Sequence, residues 1–162
     1  MAFFIAPFLG IAQNFQFQRI SINSIDSLEK KQNAYRFEYG YPIGVSKDYF
    51  PNREKYKLGQ PIVYRKQVKG FKYETSYYFS LPDSTLRLIE YWWEGDSITN
   101  PEVYELLTEN RKQIALHVSK KGKYLQEAQE KQASEIWQND LVYVEQFFLA
   151  NFQRIRVKIS WK

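Results

Sequence analysis

The chain has 162 residues, 44% of them apolar and 25% charged, with a formal net charge of +5. That length holds one ordinary domain, and the balance of apolar and charged residues excludes a disordered chain and a membrane bundle. With no cysteine and one histidine, thiol nucleophiles, zinc fingers, iron–sulfur clusters and sites built from several imidazoles are excluded.

Residues 2–12 are apolar without interruption and polarity returns at Gln13 and Asn14. The run is too short to cross a bilayer, which takes about 20 residues. Its length matches the apolar region of a signal peptide, with Gly10 and Ala12 as small residues near a cleavage point, although no basic stretch precedes it. It is read as a signal-peptide remnant, ahead of an apolar arm packed on the domain. Residues 13–162 are then one exported domain, periplasmic or extracellular, with no transmembrane segment.

Phe15 and Phe17 alternate with Gln16 and Gln18, and Ile20 and Ile22 follow on the opposite parity. This pattern predicts a strand over 14–22 with a bulge near Gln18–Arg19. Asp26 and Glu29 have capping-box spacing, which predicts a short helix from Ser27 to about Asn33. Tyr35, Phe37, Tyr39 and Tyr41 alternate with polar residues or glycine and predict a second strand. Residues 42–61, with three prolines and two glycines, read as an ordered surface loop.

Ile62–Val68 and Phe71–Leu81 flank Lys69-Gly70, a two-residue hairpin turn in which glycine permits positive φ. Pro82-Asp83-Ser84 turns the chain again, and Thr85–Glu94 closes a three-stranded antiparallel meander. A helix is predicted over 101–121. Asn100 is its cap, Pro101 its first residue, Lys120 and Lys121 its basic end and Gly122 its stop. Val103, Leu106, Leu107, Ile114 and Val118 form its apolar stripe, and Asn110 on that stripe is expected to bond a buried backbone group. Tyr124–Trp137 fits a second short helix better than a strand. Leu141–Leu149 reads as a central strand covered on both faces. In the closing strand Ile155, Val157, Ile159 and Trp161 alternate with Arg154, Arg156, Lys158 and Ser160, giving one core face and one basic ladder.

The expected fold is α+β: a curved antiparallel sheet of about six strands with one main helix packed on one face. No internal repeat is visible in the sequence. The core is expected around Phe71, Tyr73, Tyr77, Phe79, Leu88, Leu107, Ile114, Val142, Val144, Ile155, Val157, Ile159 and Trp161.

Charge falls in blocks. Residues 53–73 carry seven basic side chains against one acidic, and residues 83–109 seven acidic against one basic. Cross-strand pairing, such as Arg65 or Lys66 opposite Glu74, is the economical reading; a cationic face for an anionic partner is the other. Lys69-Gly70-Phe71 opens like an RNA-binding RNP1 pattern, but Lys72, Glu74 and Ser76 break it, so a nucleic-acid partner is disfavoured. His117 lies at the edge of the helix stripe, with no acid and nucleophile near it in sequence. Glu90, Glu94 and Asp96 are the one carboxylate group with a claim to hydrolysis. No phosphate-binding loop, dinucleotide fingerprint, serine elbow or zinc motif occurs, so no catalytic residue, metal or cofactor is assigned.

Four large rings exceed what packing requires: Tyr91, Trp92, Trp93 and Trp137. Aromatics and arginine dominate binding surfaces. The expected function is therefore a non-catalytic binding module with an aromatic-lined cleft or surface for a small ligand or protein. Tyr91, Trp92, Trp93, Trp137, Arg154, Arg156 and Lys158 are its candidate contacts. The alternatives are a small hydrolase using carboxylates near Glu90 and Glu94, and a basic-surface nucleic-acid binder.

Overall fold

The computed structural model describes residues 14–44, 53–68, 70–95, 100–127, 132–149 and 154–162. The apolar run 2–12 lies outside them. The elements are α1 (Ile22–Lys31), β1 (Tyr35–Phe37), the single turn α2 (Arg53–Tyr56), β2 (Ile62–Val68), β3 (Phe71–Phe79) and β4 (Leu86–Glu94). They are followed by α3 (Asn100–His117), β5 (Lys123–Glu127), β6 (Gln132–Gln138), β7 (Val142–Leu149) and β8 (Arg154–Trp161). The strands form one open antiparallel sheet in the order β1-β2-β3-β4-β8-β7-β6-β5. Seven of them are five residues or longer and β1 has three. The α+β class with an antiparallel sheet therefore stands, with more strands than expected and α1 as a second full helix.

The order contains a repeat of architecture. A helix precedes the meander β1–β4, a second helix precedes the meander β5–β8, and the last strands of the two meanders, β4 and β8, pair at the centre. The expected closing alternation produces this pairing. Ile155, Val157 and Ile159 stand opposite Trp93, Tyr91 and Ile89, and all six are buried to within 2% exposure. Because side chains alternate along a strand, that register sends one set of residues to the face covered by helices and the other to the opposite, outer face.

The turns have specific chemistry. Gly70 has φ +82°, as the hairpin turn between β2 and β3 requires. Between β3 and β4, the Asp83 carboxylate accepts the Thr85 backbone N–H at 3.0 Å. Between β6 and β7, the Asn139 side-chain oxygen accepts the N–H groups of Leu141 and Val142, both at 2.9 Å.

Several expected elements differ. Residues 14–20 form no strand. Phe15 inserts instead beside Tyr91 and Trp93, with ring centroids 5.0 and 6.2 Å away. The helix after them begins at Ile22, five residues before the expected Ser27, and Ser21 in extended conformation starts it. Asp26 and Glu29 lie within that helix rather than capping it. Its end is a complete Schellman motif: Ala34 N–H reaches Glu29 O at 3.1 Å and Asn33 N–H reaches Lys30 O at 3.0 Å, with Asn33 at φ 58° in the left-handed position. The strand expected over 35–41 stops at Phe37, and Tyr39 and Tyr41 leave the sheet edge.

The segment 124–137 holds the hairpin β5–β6, not a helix. Trp137 pairs with Val144 and Ala133 with Phe148, so β6 satisfies the hydrogen-bonding edge of β7, which a helix would have left open. α3 ends at His117, so Lys120 and Lys121 lie beyond its last turn. Asn110 is buried, but among the described residues neither atom of its side-chain amide has a hydrogen-bond partner, so the expected bond to a backbone group is not found there. Gly122 is not a helix stop either. A Cβ there would lie 2.6 Å from Cε2 of Trp137, so glycine is required for close approach of the chain to a buried indole. Gly122→Ala is expected to cost about 1–3 kcal/mol through overpacking, measured as a lower urea midpoint at unchanged slope.

α1 places a carboxyl in the core. Glu29 is 1% exposed, one oxygen accepts the Tyr77 hydroxyl and the other has no hydrogen-bond partner among the described residues. Burial raises its pKa above the ordinary 4.5, against the Tyr77 bond and the nearby Lys66 charge, which lower it. Between 4.5 and the raised value the folded state holds a proton that the unfolded chain has released, so stability falls as pH rises through that window. Glu29→Gln keeps the acceptor for Tyr77 and removes the proton. Subtracting its urea-derived pH profile from that of the native chain should expose this fall, at about 1.4 kcal/mol for each pKa unit.

Candidate functional site

The outer face of the sheet carries alternating charge across its four central strands. From β3 come Lys72, Glu74, Ser76 and Tyr78; from β4, Leu88, Glu90, Trp92 and Glu94; from β8, Arg154, Arg156, Lys158 and Ser160. Glu145 and Phe147 join them from β7, opposite Lys158 and Arg156, and Arg65 from β2, opposite Glu74. The basic ladder read in the last strand is therefore not a free cationic surface. Arg154 lies 3.2 Å from Glu94, Arg156 4.0 Å from Glu90, and Lys158 3.0 Å from Glu145. Arg65 meets Glu74 at 2.8 Å, the cross-strand pair anticipated from the charge blocks. Opposite charges in facing positions offset each other where either alone would be costly to desolvate.

Aromatic rings are laid into this lattice. The guanidinium carbons of Arg156 and Arg154 lie 4.3 and 5.3 Å from the Trp92 ring, within cation–π range. Lys158 Nζ lies 4.8 Å from the Phe147 ring. Lys158 is itself only 3% exposed.

The chain after β1 turns over this surface. The Tyr39 hydroxyl donates to the Glu74 carboxylate at 2.7 Å and accepts from Arg65 Nη2 at 2.9 Å. Burial, and then the bond to Glu74, push the Tyr39 pKa up to about 12, so the hydroxyl stays a neutral donor at ordinary pH. Arg65 is held from the other side by Phe37, whose ring centroid is 3.3 Å from its guanidinium carbon. Tyr39 thus stands as a bar across a groove. On one side a cleft of about 390 Å³ has Glu74, Ser76, Glu90, Trp92 and Arg156 as its floor and Tyr41, Pro42 and Ile43 as its wall. On the other side a cleft of about 370 Å³ is lined by Arg65, Lys72, Trp92 and Glu94. Trp92, Tyr39 and Glu74 border both.

The seven candidate contacts separate by parity. Trp92, Arg154, Arg156 and Lys158 share the outer face. Tyr91, Trp93 and Trp137 point the other way and are 1–2% exposed. Trp93 packs on Tyr73, with centroids 5.1 Å apart, and Trp137 lies under Gly122. The Tyr91 hydroxyl accepts the backbone N–H of Gln16 at 2.9 Å at the border of a separate cleft. Trp92, Trp93, Trp137 and Trp161 are the four tryptophans of the chain, and Trp92 alone is not buried.

Of the residues considered for catalysis, Glu90, Glu94 and His117 are not brought together. Glu90 and Glu94 share a strand face four residues apart, a spacing of about 13 Å along a strand, beyond the separations glycoside hydrolysis uses. His117 ends α3 behind the sheet, bonded to its own helix at Gln113 O, 2.9 Å away, and stacked on Phe17 at 4.5 Å. Asp96 lies outside the described residues. Among the described residues no group of three or more His, Asp or Glu is placed to hold a metal ion, and no helix is long and apolar enough to cross a membrane.

Sequence reasoning missed Tyr39 and Tyr41, which it placed in a strand. Their signal was available in hindsight, since an aromatic alternation running straight into Gly40, Pro42 and Gly44 cannot all be sheet. The lattice makes a testable demand. Lys158→Ala leaves Glu145 half-buried without its partner and should cost about 2–4 kcal/mol. Lys158→Met with Glu145→Gln removes both charges and should cost less than half of that, measured by urea denaturation.

Compared with protein-family models, with curated proteins and with solved structures, the chain has no match, so its function is argued from this geometry.

Proposed function

We propose that the protein is a non-catalytic binding module whose site is the outer-face groove, with Trp92 as its platform. The carrying observation is Trp92 itself. It is the one tryptophan left unburied, it borders both clefts, and two guanidinium groups stack against it. Large rings and arginine at the centre of a concave surface are the usual anchors of recognition.

The lattice also indicates what kind of ligand suits the groove. Glu74 and Glu90 on the floor are both answered by arginine, so the site presents no net field that would favour an anion or a cation. It presents a ring face, carboxylate acceptors, and the hydroxyls of Tyr39, Ser76 and Tyr78. That set fits an uncharged ring with hydrogen-bonding groups on its rim, either free or displayed by a protein partner. The separation of Glu90 from Glu94 supports binding without bond cleavage.

Calorimetric titration with a panel of monosaccharides and nucleosides tests the reading. At least one is expected to bind saturably, and Trp92→Ala should abolish that binding. Tyr41, 66% exposed at the cleft wall, offers a milder change: Tyr41→Ser should weaken binding several-fold with an unchanged unfolding midpoint. No saturable binding across the panel, or binding indifferent to both substitutions, would overturn the proposal.

A further inference from the structure

A further cleft, of about 450 Å³, opens on the helix side of the sheet between α1, residues 14–16 and strands β2–β4. Its lining differs in kind from the groove. Lys31 and Lys66 line it together with Phe15, Leu28, Tyr77 and Tyr91, and among the described residues no acidic side chain does.

Lys66 is the neighbour of Arg65 on β2 and points to the opposite face. Each of the outer-face bases Arg65, Arg154, Arg156 and Lys158 has a carboxylate within 4.0 Å. Lys66 has instead the neutral side-chain oxygen of Gln32, at 2.9 Å, and the Tyr73 ring, 4.9 Å from its nitrogen. Burial lowers its pKa, an effect that the charge of Glu29 opposes. Glu29 does not line the cleft; it lies in the core, where burial favours its uncharged form. A half-buried ammonium paired with an amide is an incomplete arrangement, because amide hydrogen bonding does not replace the hydration of a charge.

Tyr91 supplies the second, independent observation. Its hydroxyl oxygen accepts the Gln16 N–H, but its own hydrogen has no acceptor among the described residues, although the side chain is 2% exposed. An unused donor in a buried position costs free energy unless something accepts it. The cleft therefore combines two cations and a buried O–H donor with an apolar wall made by Phe15, Leu28 and the Tyr77 ring.

We infer that this cleft is a second binding site, distinct from the outer groove, and that it takes the carboxylate of a small organic acid with an apolar body. The carboxylate pairs with Lys66 and Lys31 and accepts the Tyr91 hydrogen in a charge-assisted bond, while the body of the acid lies on Phe15 and Leu28. The balance of the lining selects the class: inorganic phosphate would use the lysines and leave the apolar wall wet, and an alcohol of the same length would use the wall and leave Lys66 with the neutral side-chain oxygen of Gln32 as its hydrogen-bond contact.

Octanoate is the probe, titrated by calorimetry beside 1-octanol and inorganic phosphate, each with the intact chain. Octanoate is expected to bind saturably and at least tenfold more tightly than either. Lys66→Met, which keeps the stem length and removes the charge, should weaken it at least tenfold, Lys66→Arg should retain most of it, and Tyr91→Phe should weaken it several-fold. Tyr41→Ser in the outer groove should leave it unchanged, which separates this inference from the groove proposal. Each variant's urea midpoint is measured alongside, and Lys66→Arg serves as the folded reference. Absence of octanoate binding, equal binding of octanol or phosphate, or binding indifferent to Lys66→Met would each overturn the inference.

Discussion

The pairing of β4 with β8 is the constraint on which the rest of the molecule depends. It runs in register from Leu88 opposite Ser160 to Glu94 opposite Arg154, and it joins two meanders that share no other strand contact in the sheet order. It also fixes parity for both faces at once. Tyr91 with Val157 belongs to the core, and Trp92 with Arg156 to the outer lattice. A slip of β8 by one residue against β4 would drive Arg154, Arg156 and Lys158 beneath the helices and turn Ile155, Val157 and Ile159 outward, while Glu90 and Glu94 stayed on the outer face. Such a register would bury charges without their partners, so the ion pairs that line the groove also enforce the alignment of the core.

The two halves share an architecture without sharing a side-chain pattern. The first half has the short helix α1, of 10 residues, and fills its face with Tyr64, Tyr73, Tyr77, Tyr91 and Trp93. The second has the 18-residue α3 and is lined more by aliphatic residues: Val142, Val144, Ile155, Val157 and Ile159. Backbone ladders are indifferent to which side chains stand on them, whereas the volume beneath a helix must be filled. A short helix with large rings and a long helix with small residues are two solutions to the same packing problem, and this is why no repeat is visible in the sequence.

What could be read from the sequence follows from how local each signal is. The hairpin Ile62–Phe79 carried both its alternation and its turn residue, and the closing strand carried strict alternation; both are as expected. Arg65 and Glu74 face each other across that hairpin, so their pairing was also within reach. The segment 124–137 was not, because its strand character depends on the open edge of β7, a long-range circumstance, while its own residues fit a helix as well. Residues 14–22 misled for a related reason: Phe15 and Phe17 alternate as a strand would, but they serve as plugs for Tyr91, Trp93 and His117, which lie far along the chain. Within the groove, Trp92 and the arginines could be singled out by composition. For Tyr39 only its departure from the sheet could be read, from Gly40, Pro42 and Gly44; its place over Glu74 could not, since that is set by where the chain leaves the sheet.

The sheet is open, and its two outermost strands are its shortest: β1 with three residues and β5 with five, against seven to nine for every strand between them. Unpaired backbone along a sheet margin is a template on which another chain can add a strand. Here the long templates are all internal, with β1 paired along Val63–Arg65 of β2 and β5 along Gln132–Ile136 of β6. Among the described residues, the margins therefore offer a second molecule short strands rather than a full-length one. The architecture keeps its aromatic-rich, strongly β-forming segments in the middle of the sheet, an arrangement that works against edge-to-edge pairing.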